Sequence, residues 1–326
     1  MFRKTLILTL LITLLVGCAP APQTTPEVDP APTEVASTEA AATEAETYLV
    51  ASDGLGREVT LAAPAQRIVT LAPSLTEFVF AVGAGEQLVG RDDLSDFPAE
   101  AADVASIGST FGDINTEAIL ALEPDLVLAA EINTPEQVQE LESLGLTVYY
   151  LSNPLTYDEL YEQVNLFGQL TGHEEEAAAL AESLAARVEA VTSAIATAAE
   201  KPTVFYEIDG TDPAKPWTTG PGTFMDTMIT MAGGVNIGGV LSDAFAQISA
   251  EEIVAQDPDI IILGDVVYGV TIESVAERAG WADLTAVKEG SIFAFDDNLA
   301  SRPGPRLVDG LEELLKILHP ELVVMQ

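Results

Sequence analysis

The chain has 326 residues, of which 48% are hydrophobic and 20% charged, and its 52 acidic side chains far outnumber its 13 basic ones. A formal net charge of −39 repels phosphate backbones, which excludes a nucleic-acid-binding protein and disfavours docking on anionic lipid. One cysteine and two histidines cannot supply an internal disulfide or an ordinary zinc site. The apolar content suffices for a large core, and the length suggests about two domains.

Residues 1–18 have the layout of a secretory signal peptide. A basic start at Arg3 and Lys4 precedes a largely apolar run from Leu6 to Val16, which is shorter than the roughly 20 residues of a spanning helix. The run ends in LVGC, which resembles the lipobox of bacterial lipoproteins. That resemblance implies cleavage before Cys18 and lipidation of its thiol. The alternative is an ordinary signal peptide with an incidental cysteine.

The next segment, residues 19–47, consists almost entirely of Pro, Ala, Thr, Ser and Glu and contains no aromatic or basic residue. Such a composition cannot bury enough apolar surface to fold, and Pro-rich, like-charged chains stay extended. We therefore predict a disordered tether that holds the rest of the chain away from a membrane.

The folded part begins with turn and strand signals. Asp53–Ala62 places Asp-Gly and Gly turn residues before an alternating run, which predicts a hairpin at the edge of a first lobe. Arg67–Leu71 has the composition of a buried strand. Ser74 and Glu77 follow with capping-box spacing, so we predict that a helix begins near Pro73.

An internal repeat predicts the architecture. TEAILALEPDLVL at residues 116–128 recurs 134 residues later as AEEIVAQDPDIII at 250–262, and flanking segments pair in the same order. Each copy alternates strands with helices, which implies parallel sheets with right-handed crossovers. The expected fold class is α/β, with two Rossmann-like lobes at residues 48–171 and 201–326.

Between the copies lies a run of strong helix formers at residues 172–200. Thr171 and Glu174 have capping-box spacing at its start, and Pro202 is a stop signal at its end. We predict one helix of about 28 residues, or roughly 42 Å, which is long enough to run along both lobes.

At this point the strings resemble a known family. RIVTLAPSLTEFVFAVGAGEQLVGRDDLSDFP, NTEAILALEPDLVL, WTTGPGTF, AGGVNI and RPGPRLVDGLEELLKILHPE are similar to the substrate-binding proteins of ABC importers for iron–siderophore complexes, haem and cobalamin. The resemblance extends from about Arg67 to Glu321. It implies an extracytoplasmic, monomeric binding protein, without cofactor or catalytic residue, that delivers one metal chelate to a permease dimer with its ATPase.

Ligands of open parallel sheets sit beyond the carboxyl ends of the strands, where loops enter helices. Several residues of these loops are aromatic, and stacking on a flat chelate gives large apolar contact with few torsions to freeze. The candidate ligand contacts are Pro73, Ser74, Phe97, Phe111, Tyr206, Trp217, Phe224 and Arg302. Any of the aromatics could instead belong to the core, and Arg302 and Arg306 could instead form salt bridges.

The first lobe has no basic residue between Arg91 and Arg187, so a strongly anionic catecholate chelate is disfavoured. A corrinoid or a hydroxamate-type ferric complex is favoured instead, and haem remains an alternative. By the family pattern, Phe111 stands where cobalamin binders carry a tryptophan, whereas Leu94 stands where they carry a tyrosine. The helix N-termini at Ser74 and Thr223 could hold a phosphate or carboxylate.

Glu117 and Glu251 occupy equivalent positions in the two copies, two residues after the plausible N-caps Asn115 and Ser249. The family resemblance assigns such a pair, one per lobe, to docking on permease arginines. The simpler reading is that each carboxylate opposes the helix dipole, which is worth about 0.3–1 kcal/mol.

Two other classes of function compete with transport. An enzyme would need a base near a nucleophile, but His173 and His319 lie at the linking helix and near the C-terminus. A surface adhesion lipoprotein would explain the tether but not the paired loops. Binders of zinc or manganese ions share the long helix but use several histidine ligands, which this chain lacks.

Overall fold

A short antiparallel hairpin opens the part of the chain that the structure, a computed structural model, describes, namely residues 47–323. Its strands are β1 (Leu49–Ser52) and β2 (Glu58–Leu61), as the sequence predicted. The turn is closed by Asp53, whose carboxylate accepts hydrogen bonds from the main-chain N–H groups of Leu55 (3.0 Å) and Arg57 (2.9 Å). The predicted signal peptide, Cys18 and the predicted tether up to residue 46 lie outside the described residues.

The first lobe contains a four-stranded sheet in the order β4-β3-β5-β6, and all of its pairings are parallel. This agrees with the predicted alternation of strands and helices. Its elements are β3 (Ile68–Thr70), α1 (Pro73–Ala81), β4 (Leu88–Arg91), α2 (Thr116–Ala121), β5 (Leu126–Ala130), α3 (Pro135–Ser143) and β6 (Val148–Leu151).

Two helices connect the sheets, α4 (Tyr157–Thr171) and α5 (Glu174–Ile195). The second lobe comprises β7 (Thr203–Asp209), β8 (Trp217–Thr219), α6 (Phe224–Met231), β9 (Val235–Asn236), β10 (Phe245–Gln247), α7 (Ala250–Gln256), β11 (Ile260–Leu263), α8 (Ile272–Ala276), α9 (Thr285–Glu289), β12 (Ile292–Ala294), α10 (Asn298–Ser301), α11 (Leu307–Leu318) and α12 (Pro320–Val323). Among residues 47–323, no helix is both long and apolar enough to cross a bilayer.

The second sheet is mixed, whereas we predicted a parallel one. Its order is β10-β8-β7-β11-β12, with β9 beside β7, and β8 runs antiparallel to both β7 and β10. The reason is the short connection at residues 210–216, because a parallel neighbour needs a crossover of a dozen or more residues. The remaining pairings, β7 with β9 and β11 and β11 with β12, are parallel as predicted.

Two predicted capping boxes are wrong. Helix α1 does begin at Pro73, but its N-cap is Ala72 and no side chain caps it, since Ser74 and Glu77 are already inside the helix. Thr171 belongs to α4, and Gly172 ends that helix in the left-handed conformation (φ 76°). Because of this break, α5 begins only after His173.

The linking helix is therefore shorter than predicted, with 22 residues instead of about 28, or roughly 33 Å. It still reaches both lobes, since α5 packs on α4 of the first lobe and on α6 and α11 of the second. Its buried residues recur every three or four positions along one face and are Ala177, Ala181, Leu184, Val188 and Val191.

One hydrophobic cluster joins the two lobes. Alternate residues of each central strand face opposite sides of its sheet, as the two-residue period of a strand requires. Leu126 and Leu128 of β5 and Ile260 and Ile262 of β11 all belong to the shared cluster with α1, α4, α5 and α11. The opposite faces, with Val127 in one lobe, form a separate cluster in each lobe.

The repeat is visible in the backbone. Glu123 and Asp257, which are 134 residues apart, are the two non-glycine residues between 47 and 323 with positive φ, at 46° and 44°. Two residues after each, an aspartate carboxylate anchors the start of the neighbouring strand. Asp125 accepts from the N–H of Arg67 (3.0 Å), and Asp259 accepts from that of Thr203 (2.8 Å).

Candidate ligand-binding site

A cavity of about 630 Å³ lies between the two lobes. Its first-lobe wall is Glu131, which follows β5, the loop Ser152–Leu155 after β6, and Glu159 in α4. The second-lobe wall is formed by Ile208 of β7, residues 222–225 at the start of α6, residues 244–245 at β10, and Asp297, Ala300, Ser301 and Pro303 after β12. The cavity therefore lies at the carboxyl ends of parallel strands of both sheets, which is where ligands of such sheets bind.

The first-lobe wall is held in shape by its own carboxylates. Thr156 caps α4 by accepting from the N–H of Glu159 (3.2 Å). The side chain of Glu159 accepts in turn from the N–H of Leu155 (2.6 Å). Glu131 accepts from the N–H of Asn153 (3.1 Å). These bonds fix the loop after β6 while leaving Leu155 largely exposed at the cavity.

The second-lobe wall is built around the N-terminus of α6. Thr223 caps this helix by accepting from the N–H of Asp226 (3.0 Å), as its position before the helix predicted. Phe224 follows at the first helical position, lines the cavity, and meets Tyr157 of the first lobe edge to face, with ring centres 5.0 Å apart. The α6 entry thus supplies both cavity wall and contact between the lobes.

Of the other predicted contacts, Tyr206 lies in the layer beneath the cavity. Its ring is only 1% exposed, and its hydroxyl donates to Asp297 Oδ1 (2.7 Å). Burial raises the pKa of Asp297, although the hydrogen bond from Tyr206 opposes that change. Tyr206 therefore positions a carboxylate of the cavity wall.

Arg302 and Arg306 form ion pairs across the lobes, as one of the two readings of the sequence had it. The buried Glu77 of α1 accepts two hydrogen bonds from Arg306, at 2.6 and 2.9 Å, and Arg302 lies 3.4 Å away. Arg302 also donates to Asp96 (2.6 Å). Burial works against ionisation of Asp96, but the hydrogen bond and charge of Arg302 hold its pKa below the usual range.

Phe97 and Ser74 lie at this lobe contact. The guanidinium of Arg306 lies over the Phe97 ring, 4.0 Å from its centre, and the ring remains 43% exposed. Ser74 is buried, and a methyl group added at Gly304 would lie 3.7 Å from its Cβ. Pro73 precedes it at the first position of α1.

The two remaining aromatics are exposed and are not among the residues that line the cavity. Phe111 is 59% exposed in the loop before α2. Trp217 is 42% exposed at the start of β8, where it pairs with Gln247 of β10. Phe245 lies directly opposite Thr219, and Trp217 is two residues from Thr219 on β8, so Trp217 and Phe245 share one face of the ribbon.

Sequence reasoning missed several cavity residues: Glu131, Ser152–Leu155, Glu159 and Phe245. The first three groups follow β5 and β6, so applying the carboxyl-end rule to every predicted strand would have found them. Phe245 lies on the edge strand β10, which no alternating pattern of apolar residues predicted.

Glu117 and Glu251 have matching surroundings. Each is exposed at the second position of its helix, and Asn115 and Ser249 are N-caps as predicted, accepting from the N–H of Ala118 and of the residue after Glu251, each at 3.1 Å. Neither glutamate side chain forms a hydrogen bond or ion pair with any residue between 47 and 323. Within that range no group of three or more metal-ligating side chains is placed to hold a metal ion.

Comparison with known proteins gives consistent matches. The family model described as periplasmic binding protein matches residues 68–299. The chain is 31% identical over 274 residues to the uncharacterized ABC transporter substrate-binding lipoprotein YvrC of Bacillus subtilis, covering 82% of this chain and 85% of that protein. It is 30% identical over 275 residues to a cobalamin-binding protein of Halobacterium salinarum, covering 82% and 73%.

Solved structures match as well. The periplasmic heme-binding protein RhuT of Roseiflexus sp. RS-1, in apo form, superposes with a TM-score of 0.70 at 27% identity, covering 79% of this chain and 99% of that one.

Proposed function

Because the chain belongs to the periplasmic binding protein family, we propose that it captures a metal chelate in the cavity between its lobes and delivers it to the permease of an ABC importer. The proposed ligand is a corrinoid or a ferric siderophore, with haem as the alternative within the family. The observation that carries the proposal is the cavity of about 630 Å³, which lies at the carboxyl ends of both sheets and has Phe224 and Phe245 in its wall. Family members are binding proteins for transport, not enzymes.

The location follows from the same membership. Substrate-binding proteins of ABC importers act outside the cytoplasm, and one relative of this chain is named a lipoprotein. We propose that Cys18 carries a lipid anchor. Metabolic labelling with a radioactive fatty acid should mark the wild-type chain and leave Cys18→Ala unlabelled. Equal labelling of both would contradict the anchor.

Binding is tested by titrating purified protein with cyanocobalamin, ferric hydroxamates and haem, which all absorb visible light. A bound chelate should quench tryptophan fluorescence with a stoichiometry of 1:1. Phe224→Ala should weaken binding by about tenfold or more, because Phe224 lines the cavity, whereas Tyr48→Ala, which removes an exposed aromatic that does not line the cavity, is the matched control. Absence of binding by every chelate would reject the proposed function.

We also propose that Glu117 and Glu251 dock on arginines of a two-fold permease, one glutamate per lobe. Their carboxylates are exposed, repeat-related and free of side-chain partners among the described residues. Reversing both charges to arginine should abolish uptake in cells while leaving chelate affinity unchanged. The control is Glu140→Arg, which reverses one exposed charge on α3. Loss of chelate binding in the double variant would instead assign the pair to the ligand.

A further inference from the structure

Three carboxylates face the cavity, and we call Glu131, Glu159 and Asp297 the carboxylate rim. One oxygen of each already accepts a hydrogen bond, from the N–H of Asn153, the N–H of Leu155 and the Tyr206 hydroxyl respectively. The second oxygens of Glu131 and Glu159 accept no hydrogen bond from any residue between 47 and 323. The cavity wall therefore presents unused acceptors at its first-lobe side.

Positive charge is missing from the same wall. No arginine, lysine or histidine is among the residues that line the cavity. The two arginines nearest in sequence to the wall, Arg302 and Arg306, are occupied by Glu77 and Asp96. An acidic group on a ligand would thus meet carboxylates and no side-chain cation.

The N-terminus of α6, which lies at the cavity, does not offset the negative charge of the carboxylate rim. The N-terminus of α6 would otherwise attract an anion, since its free N–H groups and dipole carry partial positive charge. Here the first-turn residue Asp226 already faces it and accepts from the N–H of Gly222 (3.4 Å), while Thr223 caps the N–H of Asp226. The carboxylate of Asp226 therefore already places a negative charge of the chain itself in the first turn of α6, where the sequence suggested an anion position at Thr223.

From these contacts we propose that the carboxylate rim makes the cavity selective for chelates whose edge carries amide or ammonium N–H donors, and that it rejects chelates whose edge carries carboxylates. The inference rests on the proposed function and narrows it, because a corrinoid edge is rich in amides whereas haem carries two propionates. Glu131 and Glu159 are the specificity-determining residues, and Asp297 supplies the third charge.

The test compares ligands that differ only at the edge: cyanocobalamin against its singly hydrolysed monocarboxylic acids, and haem against its bis-amide. Wild-type protein should bind each amide form about tenfold or more tightly than the carboxylate form at low salt, because like charges a few ångströms apart repel even at an effective dielectric constant of about 20. The preference should shrink in high salt, since both glutamates are exposed.

The variant Glu131→Gln/Glu159→Gln keeps the oxygen that each side chain uses to bind the main chain and removes the charge. Its preference for the amide form should fall to about threefold or less, while its melting temperature stays that of wild type. Glu140→Gln, which removes one exposed charge on α3, should keep the full preference.

Two outcomes would contradict the proposed selectivity of the carboxylate rim. One is equal binding of amide and carboxylate forms by wild type, and the other is an unchanged preference in the double variant. In both cases the chelate still binds, so the proposed function survives. If no ligand binds the wild-type protein, both the proposed function and the proposed selectivity of the carboxylate rim are rejected.

Discussion

The ion pairs of Glu77 with Arg306 and Arg302 should hold the two lobes together, and their removal should cost measurable stability. The side chain of Glu77 is 2% exposed, whereas those of Arg306 and Arg302 are 13% and 14% exposed. Removing one partner of a buried ion pair costs about 3–5 kcal/mol, because the remaining charge is left uncompensated. Arg302 keeps Asp96, and both arginines retain some water contact, so we expect about 3 kcal/mol, the lower end of that range, for Glu77→Gln.

This free energy converts to a melting-temperature shift. Unfolding entropy is about 2.1 cal/mol/K per residue, so for the roughly 280 residues from 47 to 323 a loss of about 3 kcal/mol lowers the melting temperature by about 5 °C. Calorimetry at pH 7 measures the shift. Glu140→Gln is the control, because it removes the same charge from an exposed site on α3.

A second variant tests whether the loss of stability comes from the ion pair itself or from disturbed packing around Glu77. Arg306→Leu removes most of the positive charge that Glu77→Gln leaves without a partner. In that background Glu77→Gln should therefore lower the free energy of unfolding much less, with a coupling energy of about 1 kcal/mol or more between the two changes. A shift below about 2 °C for Glu77→Gln, which corresponds to about 1 kcal/mol, would refute the reasoning. So would full additivity of the two changes.

Two further predictions concern the separate lobes. Burial works against ionisation of Asp53, but Arg57 and nearby main-chain N–H groups hold its pKa below the usual range. Its stabilisation is therefore present above about pH 4 and is lost as the pH falls through the lowered folded value, so Asp53→Asn should flatten the dependence of melting temperature on pH in this acidic range. In the second lobe, Trp281 is fully buried against Phe205, and Trp281→Ala should lower the free energy of unfolding by about 3–5 kcal/mol in urea titrations. An unchanged pH dependence would contradict the first prediction, and a loss no larger than that of the half-exposed Trp217→Ala would contradict the second.

The sequence predicted the overall architecture because the repeat and the strand pattern are strong local signals. The DPD and EPD segments, the buried strands and the N-caps Asn115, Thr223 and Ser249 all depend on residues close together in the chain. Two capping boxes were wrong for a related reason. Ser74 and Thr171 have capping-box spacing, but Ser74 already lies inside the helix that begins at Pro73, and Thr171 lies in α4, which Gly172 ends.

The site was harder to predict than the fold, because it depends on contacts between distant segments. Arg302 and Phe97 were candidate ligand contacts, and both lie at the contact between the lobes, where Glu77, more than 200 residues from Arg302 in sequence, is buried beside that arginine. Glu131 and Phe245 line the cavity without any local motif. The sequence showed that no basic residue lies between Arg91 and Arg187, but not which carboxylates would face the cavity.

The hydrophobic cluster shared by the two sheets makes the two halves of the chain depend on each other. Phe167 of α4, Leu184 of α5 and Leu311 of α11 lie in the same cluster, so either half by itself would turn a broad apolar face to water. A chain split in the middle should therefore yield two fragments that associate with each other more readily than either folds alone.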